Sequence, residues 1–170
     1  FDAFDSPNLP PLAISGTEIK YNHALIRTYD KGAKLKPHYK MDTHLIIFSL
    51  FPGLRPEIVE NVLNSPDLKG IIFRTFGSGN APRNERLLGT LKTAMENGKV
   101  IVNISQCHRG CVHQERYGTG LQLADVGIVS GLDMTIEAAL AKLMFLFGEG
   151  MDARAVSNLM TQDIAGEVSI

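Results

Sequence analysis

A chain of 170 residues is long enough for one domain with a sizeable core, or for half of a larger enzyme. With 44% hydrophobic residues, 21% charged residues and a net charge of -1, it has an ordinary globular composition and no electrostatic footprint for nucleic acid. No apolar run is long enough to span a bilayer, and two cysteines make no disulfide framework, which favours a reducing, cytoplasmic setting. The chain opens on Phe1 with no signal-like segment, so a processed or truncated start is expected.

Residues 1–43 differ from the rest. Ser6, Pro7, Asn8 and the Pro10-Pro11 pair impose an extended path, because proline locks φ and restricts the residue before it. Residues 19–28 are a candidate strand, Asp30-Lys31-Gly32 marks a turn, and Lys34, Lys36 and Lys40 make a basic stretch. This segment is expected to be an interdomain linker with a little strand, and residues 44–170 a second, α/β domain.

Residues 45–50, LIIFSL, form a continuous apolar run of strand length. Pro56 suits the first turn of a helix, and Ile58, Val59, Val62 and Leu63 give that helix an apolar face. A second strand is expected over 70–75, then a glycine-bearing loop, GSGNAP, over 77–82. Leu87, Leu88, Leu91 and Met95 line a helix that stops at Asn97-Gly98. A third strand spans 100–104, a short helix 117–124 and a fourth strand 127–130. Asp133 is the expected cap of a last helix carrying Glu137 in its first turn and Ile136, Leu140, Leu143 and Phe147 at helical spacing. Strands without polar alternation, separated by amphipathic helices, predict a three-layer α/β sandwich around a roughly four-stranded parallel sheet.

In such sheets ligands bind beyond the carboxyl ends of the strands, which places residues 75–82, 105–113 and 130–135 on one rim. The two glycines of GSGNAP permit close approach of backbone to a ligand, although the loop is neither GxGxxG nor a phosphate loop. Asn80 is either a turn-capping residue or a ligand contact with one acceptor and two donors. Arg74, ending a buried strand, is either paired or faces a ligand. QCHRGCVH, residues 106–113, holds both cysteines and two of the five histidines. Its interleaved spacing does not suit a tetrahedral zinc site or a CxxC redox pair. The simpler reading is that Cys107 is a small buried strand-end residue and that His108, Arg109 and His113 belong to a solvated loop.

Four segments in order, RTFGSGNAP (74–82), NISQC (103–107), YGTG (117–120) and GLDMTIEAAL (131–140), resemble the C-terminal half of cytoplasmic (type I) L-asparaginases. SPNLPPL (6–12) resembles the segment leading out of their N-terminal domain, which implies that residues 1–43 are the end of that domain and the interdomain linker, and IAGE (164–167) resembles their tail. Those enzymes carry a threonine nucleophile in TGGT and a second threonine in TDT, and neither string occurs here. The resemblance therefore implies a C-terminal domain without catalytic residues of its own, inactive alone, whose partner is an N-terminal asparaginase domain. It implies a homodimer or homotetramer acting on L-asparagine, with no cofactor, no metal, no nucleic acid and no membrane. Asn80 matches the asparagine of the family's GxGN loop and inherits a substrate-orienting role at a neighbouring subunit's site. Arg74, Ser105 and Cys107 inherit a place at an allosteric asparagine effector site found in some members. Cys111, His113 and Lys31 to Lys40 match no family motif. Three other readings stand beside this one: the asparaginase-like subunit of a glutamyl-tRNA amidotransferase, a non-enzymatic amino-acid-binding regulatory module, and a nucleotide-binding module.

Overall fold

The proline-bearing start of the chain makes one small hairpin. In a computed structural model describing residues 5–28, 30–114 and 118–169, the chain divides into two units, Phe1–Tyr39 and Lys40–Ile170. In the first, β1 (Ala13–Ser15) pairs antiparallel with β2 (Ile19–Tyr21), Ile14 opposite Lys20. The strand expected over 19–28 stops at Tyr21, because the chain turns there: the Leu25 N–H donates to the Asn22 carbonyl and the Asn22 N–H to that of Leu12. All six strand residues are exposed, Ile14 by 63%, so this hairpin has no buried face of its own.

The second unit follows the apolar pattern closely. β3 (Leu45–Ser49), β4 (Gly70–Thr75), β5 (Val100–Ser105) and β6 (Val129–Ser130) lie in that order, all parallel. Helices α1 (Pro56–Leu63), α2 (Glu85–Glu96), α3 (Gly118–Asp125), α4 (Ile136–Gly148) and α5 (Ala153–Met160) connect and cover them. Tyr117, the expected start of the third helix, lies outside the described residues.

The pleat divides the core in two. Ile71, Phe73 and Ile101 face one side and pack with Val59, Leu63, Leu87, Leu91 and Leu123 of α1, α2 and α3. Ile72, Val100, Val102 and Ile104 face the other and pack with Leu143, Leu146, Val156 and Met160 of α4 and α5. This is the expected three-layer sandwich. Each fully buried Ile or Leu contributes about 1.5–3 kcal/mol of transfer free energy, so the two layers rather than helix propensity hold the sheet.

Three local expectations change. Ile58 is largely exposed, and α1 packs through Val59 and Leu63 instead. Asp133 does not cap α4: Thr135 is the N-cap, its hydroxyl accepting from the Ala138 N–H at 3.2 Å, while Asp133 accepts from the Ser169 N–H at 3.0 Å. Helix α5 had no expectation attached to it, yet Asp152 caps it, accepting from the Ala155 N–H at 2.8 Å, and Val156 and Met160 bury its inner face.

Candidate functional site

Parallel order brings the carboxyl ends of β4, β5 and β6 to one rim, and a single buried residue of β5, Asn103, is bonded to the segments that leave β4 and β6. Val100, Ile101, Val102 and Asn103 of β5 are all fully buried. An unsatisfied amide at such a depth costs about 1–3 kcal/mol, so Asn103 must find partners. Its Oδ1 accepts from the Thr75 hydroxyl at 2.6 Å, and its Nδ2 donates to the Gly79 carbonyl at 3.2 Å. Its own carbonyl accepts from the Gly131 N–H at 2.8 Å.

The 77–82 loop is folded tightly over that amide. Phe76 and Asn80 exchange both backbone hydrogen bonds, at 2.9 and 2.8 Å, which closes the loop on itself. Gly79 adopts φ +104°, and a Cβ there would stand 2.7 Å from Val112 Cγ1 and 3.1 Å from Asn103 Nδ2. The close approach expected of this glycine is thus made to the protein's own wall. Asn80 is half-buried, and its Nδ2 stands 3.5 Å from the Ser78 hydroxyl, at the limit of a hydrogen bond. The cap of the following helix is Asn84, which accepts from the Leu87 N–H at 3.0 Å, so capping that helix does not occupy Asn80.

The cysteine-bearing segment is anchored at both ends. Ser105 donates its hydroxyl to the Gly77 carbonyl at 2.5 Å and accepts from the Cys107 N–H at 2.9 Å. Gln106 Nε2 donates to the Leu50 carbonyl at 2.7 Å and the Arg74 carbonyl at 3.1 Å, tying the ends of β3 and β4 to this loop. Farther on, the His113 N–H donates to the Ser78 carbonyl and the Val112 N–H to that of Leu132. Cys107 is exposed, which overturns its reading as a buried strand-end residue: β5 ends at Ser105 and the chain bends away before the thiol. Cys107 and Cys111 are not joined in a disulfide. Among the described residues no group of three or more His, Cys, Asp or Glu side chains is placed to hold a metal ion.

Arg74 stands beside Ser49 in the β3–β4 register, and its Nη1 donates to the Ser49 hydroxyl at 3.4 Å. Its Nε is buried and has no hydrogen-bond partner among the described residues. The register also separates two of the expected site residues. Arg74 lies opposite Ile104, on the α4–α5 side, whereas Ser105 lies opposite Thr75, on the side of Asn103. A ligand touching both Arg74 and Ser105 must therefore lie across the ends of the strands. Asn103 and Gln106 had no role assigned from the sequence, and the one available signal was an amide interrupting an apolar strand.

Two acidic groups outside the rim are perturbed. Burial alone would raise the Glu167 pKa, but the Lys142 ammonium and the N–H groups of Ala165 and Ile164 together hold it down at about 2. The carboxyl of Asp42 is held well below the usual range by a hydrogen bond from Lys69, by the His44 N–H and by the His44 ring.

Residues 44–160 match the family model described as the glutaminase/asparaginase C-terminal domain. The chain is 42% identical over 170 residues to a 60 kDa lysophospholipase of Homo sapiens, covering 99% of this chain and 29% of that protein. It is 37% identical to L-asparaginase 1 of Escherichia coli strain K12, covering 99% of this chain and 49% of the relative. A glutamyl-tRNA(Gln) amidotransferase subunit of Methanobrevibacter smithii is 30% identical, with 98% and 38% covered. Among solved structures, L-asparaginase I from Vibrio cholerae superposes with a TM-score of 0.90 at 39% identity, over 99% of this chain and 50% of that one. The chain thus spans about half, or less, of the length of these relatives. Fold, motif order and family match agree: this chain belongs to the glutaminase/asparaginase family and carries its C-terminal domain.

Proposed function

We propose that this chain is the C-terminal domain of an L-asparaginase, which hydrolyses L-asparagine and water to L-aspartate and ammonia. The observation that carries the reading is Asn80: a half-buried amide on a loop closed by its own backbone, relieved of helix capping by Asn84, within the GxGN motif of the family. An amide so placed can accept from an α-ammonium and donate to an α-carboxylate, orienting the substrate without attacking it. The attacking group, proton path and oxyanion donors belong to an N-terminal domain carrying the family's two threonines. A second copy of the chain, in a homodimer or homotetramer, would bring Asn80 to that site. The exposed apolar side chains Ile14, Ile19 and Tyr21 suit residues 1–43 as a linker packed against the N-terminal domain. The expectation of a cytoplasmic enzyme stands with it.

Arg74 carries a second, regulatory part of the reading. A guanidinium whose buried Nε has no partner among the described residues is a ready donor to an entering carboxylate, bidentate and charge-assisted. We assign it the α-carboxylate of asparagine at an effector site, with Ser105 and Cys107 on the adjoining rim.

Ammonia release tests both parts. The complete protein is expected to release ammonia from asparagine, and the isolated 170 residues are expected to release none. Asn80→Ala in the complete protein should raise KM on the order of tenfold, the cost of one charge-assisted contact. Robust activity of the isolated chain would overturn the domain assignment. Parallel assays with a lysophospholipid, and with glutamine and charged tRNA, distinguish the activities named for the other relatives. Asparagine binding to a complete protein that releases no ammonia would favour the regulatory module instead.

A further inference from the structure

We infer that Asn103 is a positioning residue for substrate binding: its buried carboxamide holds the 77–80 loop in the one arrangement that presents Asn80. The inference rests on the substrate role proposed for Asn80. Four observations carry it. Asn103 is fully buried in an inner strand of the sheet, opposite Phe73 and on the same face as Ile101, where an apolar residue would pack without needing any partner. Both ends of its amide are instead engaged, the oxygen by the Thr75 hydroxyl and the nitrogen by the Gly79 carbonyl, one residue before Asn80. Thr75 is itself fully buried, so its hydroxyl has been placed at depth to orient that amide. Finally, Gly79 lies so close that a Cβ would meet Asn103 Nδ2 at 3.1 Å, and the loop cannot settle lower.

Orientation follows from donor and acceptor chemistry. A hydroxyl can donate to Oδ1 but a carbonyl cannot donate to anything, so Thr75 on one side and Gly79 on the other admit only one flip of the amide. With the amide so turned, Nδ2 faces the loop and draws the Gly79 carbonyl inward. The Gly79 and Asn80 N–H groups then both reach the Phe76 carbonyl, at 3.1 and 2.8 Å. Without Nδ2 the Gly79 carbonyl loses its buried donor, the loop opens, and the Asn80 side chain samples orientations that do not meet the substrate.

The test uses the complete protein with Asn103→Leu, which keeps the branched outline of the side chain and removes both hydrogen bonds, and Thr75→Val, which removes only the hydroxyl that orients the amide. Two quantities are read: hydrogen exchange at the Gly79 and Asn80 amides, and KM for asparagine. Exchange at both amides is expected to quicken on the order of tenfold and KM to rise by a similar factor, with kcat nearly held, as befits a loss of binding rather than chemistry. Thr75→Ser, which restores the hydroxyl, should restore both. Adding Asn103→Leu to Asn80→Ala should raise KM no further, because the residue it positions is already gone. Unchanged exchange at Gly79 and Asn80, or an equal rise of KM in the Asn80→Ala background, would overturn the inference. Should Asn103→Leu fail to fold, Thr75→Val carries the same two readings. If Asn80→Ala alone leaves KM unchanged, the substrate role of Asn80 has failed, and exchange at the two amides still decides whether Asn103 holds the loop.

Discussion

Arg74 and Gly79 show how much one residue type can announce and how its partner changes the meaning. An arginine ending a buried strand signals a paired or ligand-facing charge; among the described residues its Nη1 has a hydroxyl at 3.4 Å and its Nε no hydrogen-bond partner. If Arg74 holds an effector carboxylate, Arg74→Ala should abolish the asparagine dependence of cooperativity while ammonia release at saturating substrate persists. Calorimetry on the complete protein should lose one of two binding events, and retention of both would remove Arg74 from the site. Gly79 was legible as a position of close backbone approach, but the approaching surface is Val112 and Asn103, not a ligand. A sequence shows that a Cβ is missing; what fills the space depends on a chain segment more than twenty residues away. Gly79→Ala combines a left-handed φ of +104° with contact at 2.7 Å, so it should cost about 1–3 kcal/mol. Urea unfolding would read that loss, and a neutral result would mean that the loop shifts to relieve both the φ strain and the Val112 contact.

Among the elements, β4 and β5 were legible to the residue or nearly so, because a strand covered on both faces needs a run of apolar residues without polar alternation, and Arg74 and Asn103 fall only near its end. The caps were not. Asp133 and Thr135 both precede α4, and either side chain has the chemistry to accept from its first turn. Thr135 prevails because Asp133 is drawn away by the Ser169 N–H, a contact from the far end of the chain. Helix α5 escaped because its two buried side chains give a short period with no proline at its start to announce it, whereas α1, of the same length, is marked by Pro56. The two cap candidates make an opposed prediction. Thr135→Ala should lower stability by about 1 kcal/mol through the lost helix cap, seen as a shifted midpoint in urea at constant slope. Asp133→Ala should leave the Thr135 cap in place and loosen the tail, seen as faster exchange at the Ser169 amide.

Taken together, the second unit is closed by its residues 163–169. Lys142 in α4 is nearly fully buried, and its ammonium meets the Glu167 carboxylate at 2.6 Å and the carbonyls of Met160 and Gln162. Val168 is buried beside this charge, and Ser169 ties the tail to the loop carrying Asp133 at the rim. A buried ammonium needs its counter-charge, so the pair makes tail docking depend on pH. Glu167 is held at about 2 when folded against an ordinary 4.5, a depressed value. Its contribution is therefore complete above about pH 4.5 and is lost as pH falls from there toward 2, where folded and unfolded forms bind the same proton. Glu167→Gln removes the charge at every pH and leaves Lys142 with carbonyls alone. At about pH 7 the variant should be less stable by about 3 kcal/mol, the cost of breaking a buried pair from one side. Asp42 also titrates at low pH, but it does so in both proteins and cancels in their difference. Urea midpoints at about pH 7, 4 and 3 should then converge, with the gap between the two proteins narrowing at each step. A gap that stays constant down to about pH 3 would show that the carboxylate's charge is not what docks the tail, and that packing of Val168 suffices.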